Sequence, residues 1–375
     1  MEALDRAIAW QTAEPIRVNR PGSSRHGGIL HGVDTRGGRP LGLYTEITGY
    51  AVSLFTFLLR IGRVDIQSKA AMEAADYLLR IQDEAGAYPH VQDPADRNGV
   101  WSAYSFDVAA CIVGLARLDK VCPGRGYLNS AMAAGRWLLG LQRPDGSFFA
   151  MMSKGGELRD PGGFFGDGSC IHAKNAIALL ELFAASGREE YRQAALSACR
   201  YTLSLQASDG AFWSGPAARY VFSHAHAYAC EGLLYAGTAL GDERFCDAAG
   251  RGIAWLAGMQ EKDGGWLSHH KTRLLSRRRM VDALLRPRPS DAAAQAVRLF
   301  SLVGVRGVGG VGGADHDRGR SLAIGFLLSC QGAAGGFHYR RTRRGLSPFM
   351  STWSAQFAAQ ALAWNSSPAA VEDLF

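Results

Sequence analysis

The sequence predicts an all-α fold, an (α/α)6 toroid of six inner and six outer helices, and three observations carry the prediction. First, one short motif recurs: "LLRIQDEAGAY" ends at Tyr88, "LLGLQRPDGSF" at Phe148, "LSLQASDGAF" at Phe212, "LAGMQEKDGGW" at Trp266 and "LLSCQGAAGGF" at Phe337. In all five copies a Gly follows the Gln by four positions and an aromatic follows it by six. Second, the stretch before a copy is amphipathic, as where Ala194, Ala198, Tyr201 and Leu205 fall on one stripe at helical spacing. Third, a more apolar stretch separates consecutive copies, hydrophobic nearly all round as a buried helix should be.

The elements follow in order. A worn sixth copy opens the chain, where "AIAWQTAEP" keeps Gln11 but not the glycine. The glutamines stand 54 to 71 residues apart, too far for one helix and right for a helix pair with its loops. This divides the single domain, 1–375, into units of roughly 1–62, 68–121, 128–187, 190–241, 243–304 and 318–364. At each joint the Gly permits a left-handed turn that stops the outer helix. An Asp before it favours that turn, and the aromatic folds back as a packing plug. The buried helices are expected at 44–62, 105–121, 172–187, 224–241, 291–304 and 351–364. Six units without a polar capping repeat favour a closed ring over a linear solenoid. "GVRGVGGVGG" (304–313) lacks the Gly-Lys-Ser/Thr end of a P-loop and reads as a linker on the opposite rim.

Bulk properties narrow the partners. The chain is 47% hydrophobic and 20% charged, which excludes a mostly disordered protein. A net charge of +7 suits an anionic partner. No nucleic-acid module is present, which leaves an acidic glycan or an acidic lipid face. The seven cysteines contain no CxxC pair and fall mostly in apolar helical patterns, as reduced buried thiols do. "MEALDRAIAWQ" lacks the layout of a signal peptide, and no apolar run is long enough to span a membrane. The expectation is a soluble cytoplasmic protein.

In such a ring the inner helices start at one rim, around a central funnel, and the polar residues gather at those starts. They are Tyr44, Glu46 and Tyr50; Tyr104 and Asp107; His172, Lys174 and Asn175; His224, His226, Tyr228 and Glu231; Asp291 and Gln295; Trp353 and Gln356. Packing alone would put polar groups on outer faces, not at six corresponding starts. Glu46 and Glu231 lie too far into their helices to serve as caps, so they are the stronger catalytic carboxylates, with Asp107 beside them. His224, Tyr228 and Glu231 follow i, i+4, i+7 spacing, so one helix face presents a proton-transfer set. The remaining residues, Tyr104 apart, are expected to bind substrate. Trp213 and Tyr339, beyond the plug positions, join them as stacking surfaces. Arg277, Arg278 and Arg340, in the basic segments 271–288 and 338–345, would hold acids at the rim. The first segment also carries Leu274, Leu275, Met280 and Leu284 on one side, a layout for peripheral membrane contact.

The Gln-x-x-Asp-Gly-x-aromatic copies resemble the repeats of the squalene-cyclase and protein-prenyltransferase superfamily and of toroidal glycan-active enzymes. "YTEITGY", "SFDVAACIVGLARL", "SHAHAYACEGLLYAG" and "STWSAQFAAQAL" more closely resemble proteins encoded in bacterial exopolysaccharide gene clusters. The resemblance spans the chain and implies the toroid fold strongly and function weakly. Asp167, Cys170 and His172 are similar in type to the prenyltransferase zinc set, but their order and spacing differ and no HExxH is present, so no metal or other cofactor is expected. The DxDD and DDxxD motifs of terpene chemistry are absent. The reading is a carbohydrate-active enzyme for an acidic saccharide or its lipid-linked intermediate in polysaccharide assembly, working by glycosidic cleavage or uronate lyase or epimerase chemistry. The alternatives are an isoprenoid-handling enzyme and a non-catalytic glycan-binding scaffold.

Overall fold

A computed structural model describes residues 2–64, 69–92, 101–218, 220–271, 284–303 and 313–375. Among these, the helices in chain order are α1 (Glu2–Thr12), α2 (Thr45–Arg60), α3 (Ala70–Ile81), α4 (Ser105–Val121), α5 (Tyr127–Leu139) and α6 (Asn175–Ser186). They continue as α7 (Glu189–Ser204), α8 (Ser223–Leu240), α9 (Glu243–Gly258), α10 (Ser290–Leu302), α11 (Gly313–Ser329) and α12 (Thr352–Ala363). The even-numbered helices are inner, and each packs on the next until α12 returns to α2. The odd-numbered helices are outer, and α1 packs on α12, so the two ends of the chain meet. The fold is an (α/α)6 toroid, and closure excludes the linear solenoid. Burial follows: α2 is buried from Thr45 to Leu58 and α8 from Ser223 to Gly237. No helix among the described residues is long and apolar enough to cross a membrane.

The motif works as a clip between neighbouring outer helices. The Nε2 groups of Gln82, Gln142, Gln206, Gln260 and Gln331 donate to Ser130, Ala194, Ala248, Gly319 and Ala3 carbonyls at 2.8–2.9 Å. Each also donates to the carbonyl of the Gly four residues on. The fifth clip, Gln331 to Ala3, joins the last joint to α1 and closes the outer ring. The glycines have φ between +88° and +99°, and a Cβ on any of them would collide with a carbonyl of the next outer helix. All five plug aromatics are completely buried.

The sixth joint is not where the sequence places it. Gln11 stays inside α1 and donates to the Ala7 and Ala355 carbonyls, without reaching an outer neighbour. The joint forms instead at Gly27, whose φ is +85° and whose absent Cβ would strike the Glu73 carbonyl of α3. Ile29, two residues on, is buried in the plug's place. The offset from Gly to plug is kept, while the aromatic is replaced and a longer loop intervenes.

Short antiparallel strands bind the rim. The strand ahead of an inner helix pairs with the segment after the next joint: Leu43–Tyr44 with Val91–Gln92, Ser102–Tyr104 with Met151–Ser153, and Val221–Phe222 with His269–His270. The first residue of each of these helices donates its backbone N–H to the same segment: Thr45 to His90, Ser105 to Ala150, and Ser223 to Ser268. Thr352 donates likewise to the His31 carbonyl, four residues after Gly27, so the sixth joint obeys the rule of the others.

Candidate active site

The rim opens into two adjoining lobes, cavities of about 260 and 220 Å³ that share Tyr44, Phe106, Phe165 and Ile171. Both are smaller than the ~300–1,000 Å³ of sites for drug-sized ligands. Phe164 and Phe165, from a turn at 163–165 ahead of α6, cover the larger lobe; their rings stand 3.9 Å apart.

In the larger lobe, His224 sits in the first turn of α8. Its Nδ1 lies 2.7 Å from Gln295 Oε1 and 3.3 Å from Asp291 Oδ2. Gln295 and Asp291 are both buried, and their facing oxygens accept, so Nδ1 carries a proton toward them and Nε2 is the ring nitrogen they leave unengaged. Asp291 is fixed in turn by Trp353 Nε1 at 2.9 Å and the Ala292 N–H at 2.7 Å. Tyr228, one turn below His224, meets its ring edge-on at 4.3 Å. Glu46 lines the same lobe from α2. Burial, then the nearby charge of Asp107, raises its carboxyl well above the ordinary range, which favours the protonated form. His31 is stacked between Tyr44 at 5.3 Å and Trp353 at 5.0 Å. Burial, then His90, lowers its pKa to about 4, leaving the ring neutral at pH 7. Tyr339 and Arg340 complete the wall, the guanidinium 4.7 Å from the Tyr339 ring centre.

The smaller lobe holds Asp107 and His172. Asp107 Oδ2 lies 2.5 Å from His90 Nδ1, and the His90 ring contacts Tyr44 and Tyr104. Burial, then Arg143, pulls His172 down to about 3. Beneath both lobes the Tyr50 hydroxyl donates to Tyr228 at 3.0 Å. Deeper, Glu231 receives Lys174 Nζ at 3.0 Å and faces Arg298 at 3.3 Å. Burial lowers Lys174 to about 8 against the pull of Glu231. Arg298 donates onward to the Phe375 main-chain oxygen at 2.9 Å, and segment 371–375 fills that end of the ring.

The structure therefore gathers Tyr44, Glu46, His224, Tyr228, Asp291, Tyr339, Arg340 and Trp353 at one lobe, and Asp107 and His172 at the other. It separates the rest. Glu231 shares a helix face with His224, but seven residues at 1.5 Å each set it about 10 Å deeper. There it is completely buried between two cations, a charge triad and not a group in reach of the funnel. Tyr50 and Lys174 belong to the floor, Gln295 stands behind His224, and Asn175 is wholly buried. Gln356 donates to the Ile47 carbonyl and ties α12 to α2. His226 turns outward, accepting from the Phe212 N–H at Nδ1 and donating from Nε2 to the Gly252 carbonyl. Trp213 packs with Ala211, Val221 and Trp255 away from the lobes, with Lys271 over its ring. Arg277 and Arg278 lie outside the described residues. Asp167 pairs with Arg143 while the Cys170 thiol meets the Ala225 carbonyl, so these two do not converge with His172 on one point. No group of three or more metal-ligating side chains occurs among the described residues.

Sequence reading missed His31, His90 and the Phe164–Phe165 cover. A signal for the first two exists. The residue four positions after each joint glycine is His31, His90, Ala150, Ser214, Ser268 or Tyr339, and it stands at the start of an inner helix. Chemistry at that offset is readable once the Gly27 joint is known.

No protein-family model and no curated protein matches this chain. Solved structures do. A sugar epimerase from a ruminal bacterium matches over 97% of this chain and 99% of its own, with TM-score 0.76 at 12% identity. Cellobiose 2-epimerase from Bacillus thermoamylovorans covers 98% and 99%, with TM-score 0.76 at 9% identity. An unsaturated glucuronyl hydrolase specific for heparin covers 97% and 96%, with TM-score 0.72 at 13% identity. At these identities the likeness is one of fold, over essentially the whole chain.

Proposed function

We propose that this chain is a carbohydrate-active enzyme that cleaves a glycosidic bond at the end of an acidic saccharide. One observation carries the reading. Glu46, its protonated form favoured by burial and by Asp107, faces the same lobe as His224, whose Nε2 is left unengaged by Asp291 and Gln295. Glu46 donates to the leaving oxygen, and His224, oriented by Asp291 and Gln295, takes the proton of the attacking water. His31, Trp353 and Tyr339 supply flat surfaces for a sugar ring, and Arg340 supplies the partner for a carboxylate. The small lobe and closed floor limit the site to a chain end. Neighbouring folds that act on cellobiose and heparin agree with a saccharide substrate. In this reading, which the exopolysaccharide resemblance supports, the substrate belongs to polysaccharide assembly or modification in the cytoplasm, with the assembly machinery or membrane close by.

A second reading, epimerisation, is favoured by the same His224: an imidazole opposite a carboxyl group can also remove and return a proton at a sugar carbon. Turnover of uronate-terminated oligosaccharides in D2O separates the two. New reducing ends without carbon-bound deuterium mean cleavage; deuterium at carbon without new ends means epimerisation. Glu46→Gln and His224→Ala are each expected to lower turnover by about 10²–10⁴. Full turnover in both variants would falsify the site.

A further inference from the structure

The loop that replaces the sixth joint builds a cavity of its own, outside the funnel. It measures about 360 Å³ and is lined by Arg20, Arg25 and Arg39 over an apolar base that includes Pro15, Val18 and Leu30. Its single acid, Glu14, already accepts the Asn19 N–H at 3.3 Å. The loop's other arginines are neutralised, Arg17 by Glu73 and Arg36 by Asp34. Among the described residues none of the three lining arginines forms an ion pair, and Arg39 meets Asp34 only through its longer-range field. Arg25 adds an independent sign: its Nε is buried and has no hydrogen-bond partner. Three like charges directed at one concavity repel one another, and a buried donor without an acceptor destabilises the fold unless a ligand supplies the missing oxygens.

We propose that this cavity binds a small anion carrying two or more carboxylate or phosphate groups. Guanidinium forks match the paired oxygens of both. The cavity stands behind the funnel wall: Leu30 and Gly42 line it, while His31, next to Leu30, and Tyr44, two residues after Gly42, line the larger lobe. The His31 N–H donates to the Gly42 carbonyl at 2.9 Å, so one strand pair separates the two sites. The proposal does not rest on the reading of the funnel.

Calorimetric titration of the full chain at low salt, with inorganic diphosphate in one arm and trigalacturonate in the other, tests it. Saturable binding is expected in at least one arm, and the tighter arm identifies phosphate or uronate as the source. The double variant Arg20→Ala/Arg39→Ala is expected to weaken that binding at least tenfold. Both altered residues are exposed, and a thermal melt checks folding; Arg39→Glu alone serves if the double variant does not fold. Equal affinity in wild type and variant, or no saturable binding in either arm, overturns the proposal. Turnover at the funnel is scored separately, so failure of one reading leaves the other standing.

Discussion

The five regular joints and the sixth do the same mechanical work with different sequence. At the regular joints Gln, Gly and an aromatic recur at fixed spacing; each joint clips two outer helices and starts an inner one, and two of them also set His90 and Tyr339 in the lobe walls. At the sixth, Gly27 and Ile29 keep the clash-free approach and the plug, but the loop from 13 to 42 also pairs with Phe349–Ser351, stacks His31 on Trp353 and forms the arginine cavity. Where a repeat must only hold the ring, its spacing is held by geometry. Where the chain ends meet, the joint carries extra length, and that length both sets His31 in the lobe wall and builds the arginine cavity.

The comparison can be broken by substitution at matched positions, and the largest effect is expected at the plugs. Phe212→Ala should cost about 3–5 kcal/mol and Ile29→Ala about 2–5 kcal/mol, read from urea unfolding. If Ile29→Ala costs less than about 1 kcal/mol, Ile29 is not a plug and the equivalence fails. Next come the glycines. Gly210→Ala and Gly27→Ala each introduce a Cβ against a neighbouring carbonyl at positive φ, and each should cost about 2–4 kcal/mol. A tolerated Gly27→Ala with a disruptive Gly210→Ala would show that the long loop shifts where a regular joint cannot.

The smallest effect separates the joints by titration. His31 has its folded-state pKa lowered from 6.5 to about 4, whereas Ser214 and Ser268 hold the same offset without a titratable group. Below pH 6.5 the unfolded chain takes up a proton that folded His31 refuses. Stability therefore falls as pH drops from 6.5 towards 4, and is fully regained above 6.5. His31→Gln should flatten that slope by about 1–2 kcal/mol, measured as the difference in unfolding free energy between pH 7 and pH 4.5. Ser268→Ala should leave it unchanged.

Much of the fold is legible because the joints are local. A Gln, a Gly at positive φ and an aromatic within seven residues act on the next helix whatever lies elsewhere. The sixth joint is hidden from the motif because it keeps the glycine-to-plug offset and drops the glutamine, while Gln11 keeps the glutamine without the glycine. Site legibility is divided by depth. Residues in the first turn of an inner helix, Glu46, His224, Asp291 and Trp353, do reach the lobe. Glu231 looked equivalent because helical periodicity reports which face a residue occupies but not how far down the barrel it stands.

By itself the sequence determined the number of helices, their alternation, the places where outer helices stop and the clustering of polar groups at one rim, since each is set by contacts within a few residues. Tertiary structure alone decided which polar groups face the funnel. His226 and His224, two positions apart, turn to opposite sides of α8, one to the Gly252 carbonyl and the other to Gln295 and Asp291. The Glu46 carboxyl is pushed above the ordinary range because the ring removes water from it and α4 brings Asp107 near. His31 becomes a wall of the site only when the chain ends meet, since its partner Trp353 lies 322 positions away in the sequence and reaches it through ring closure.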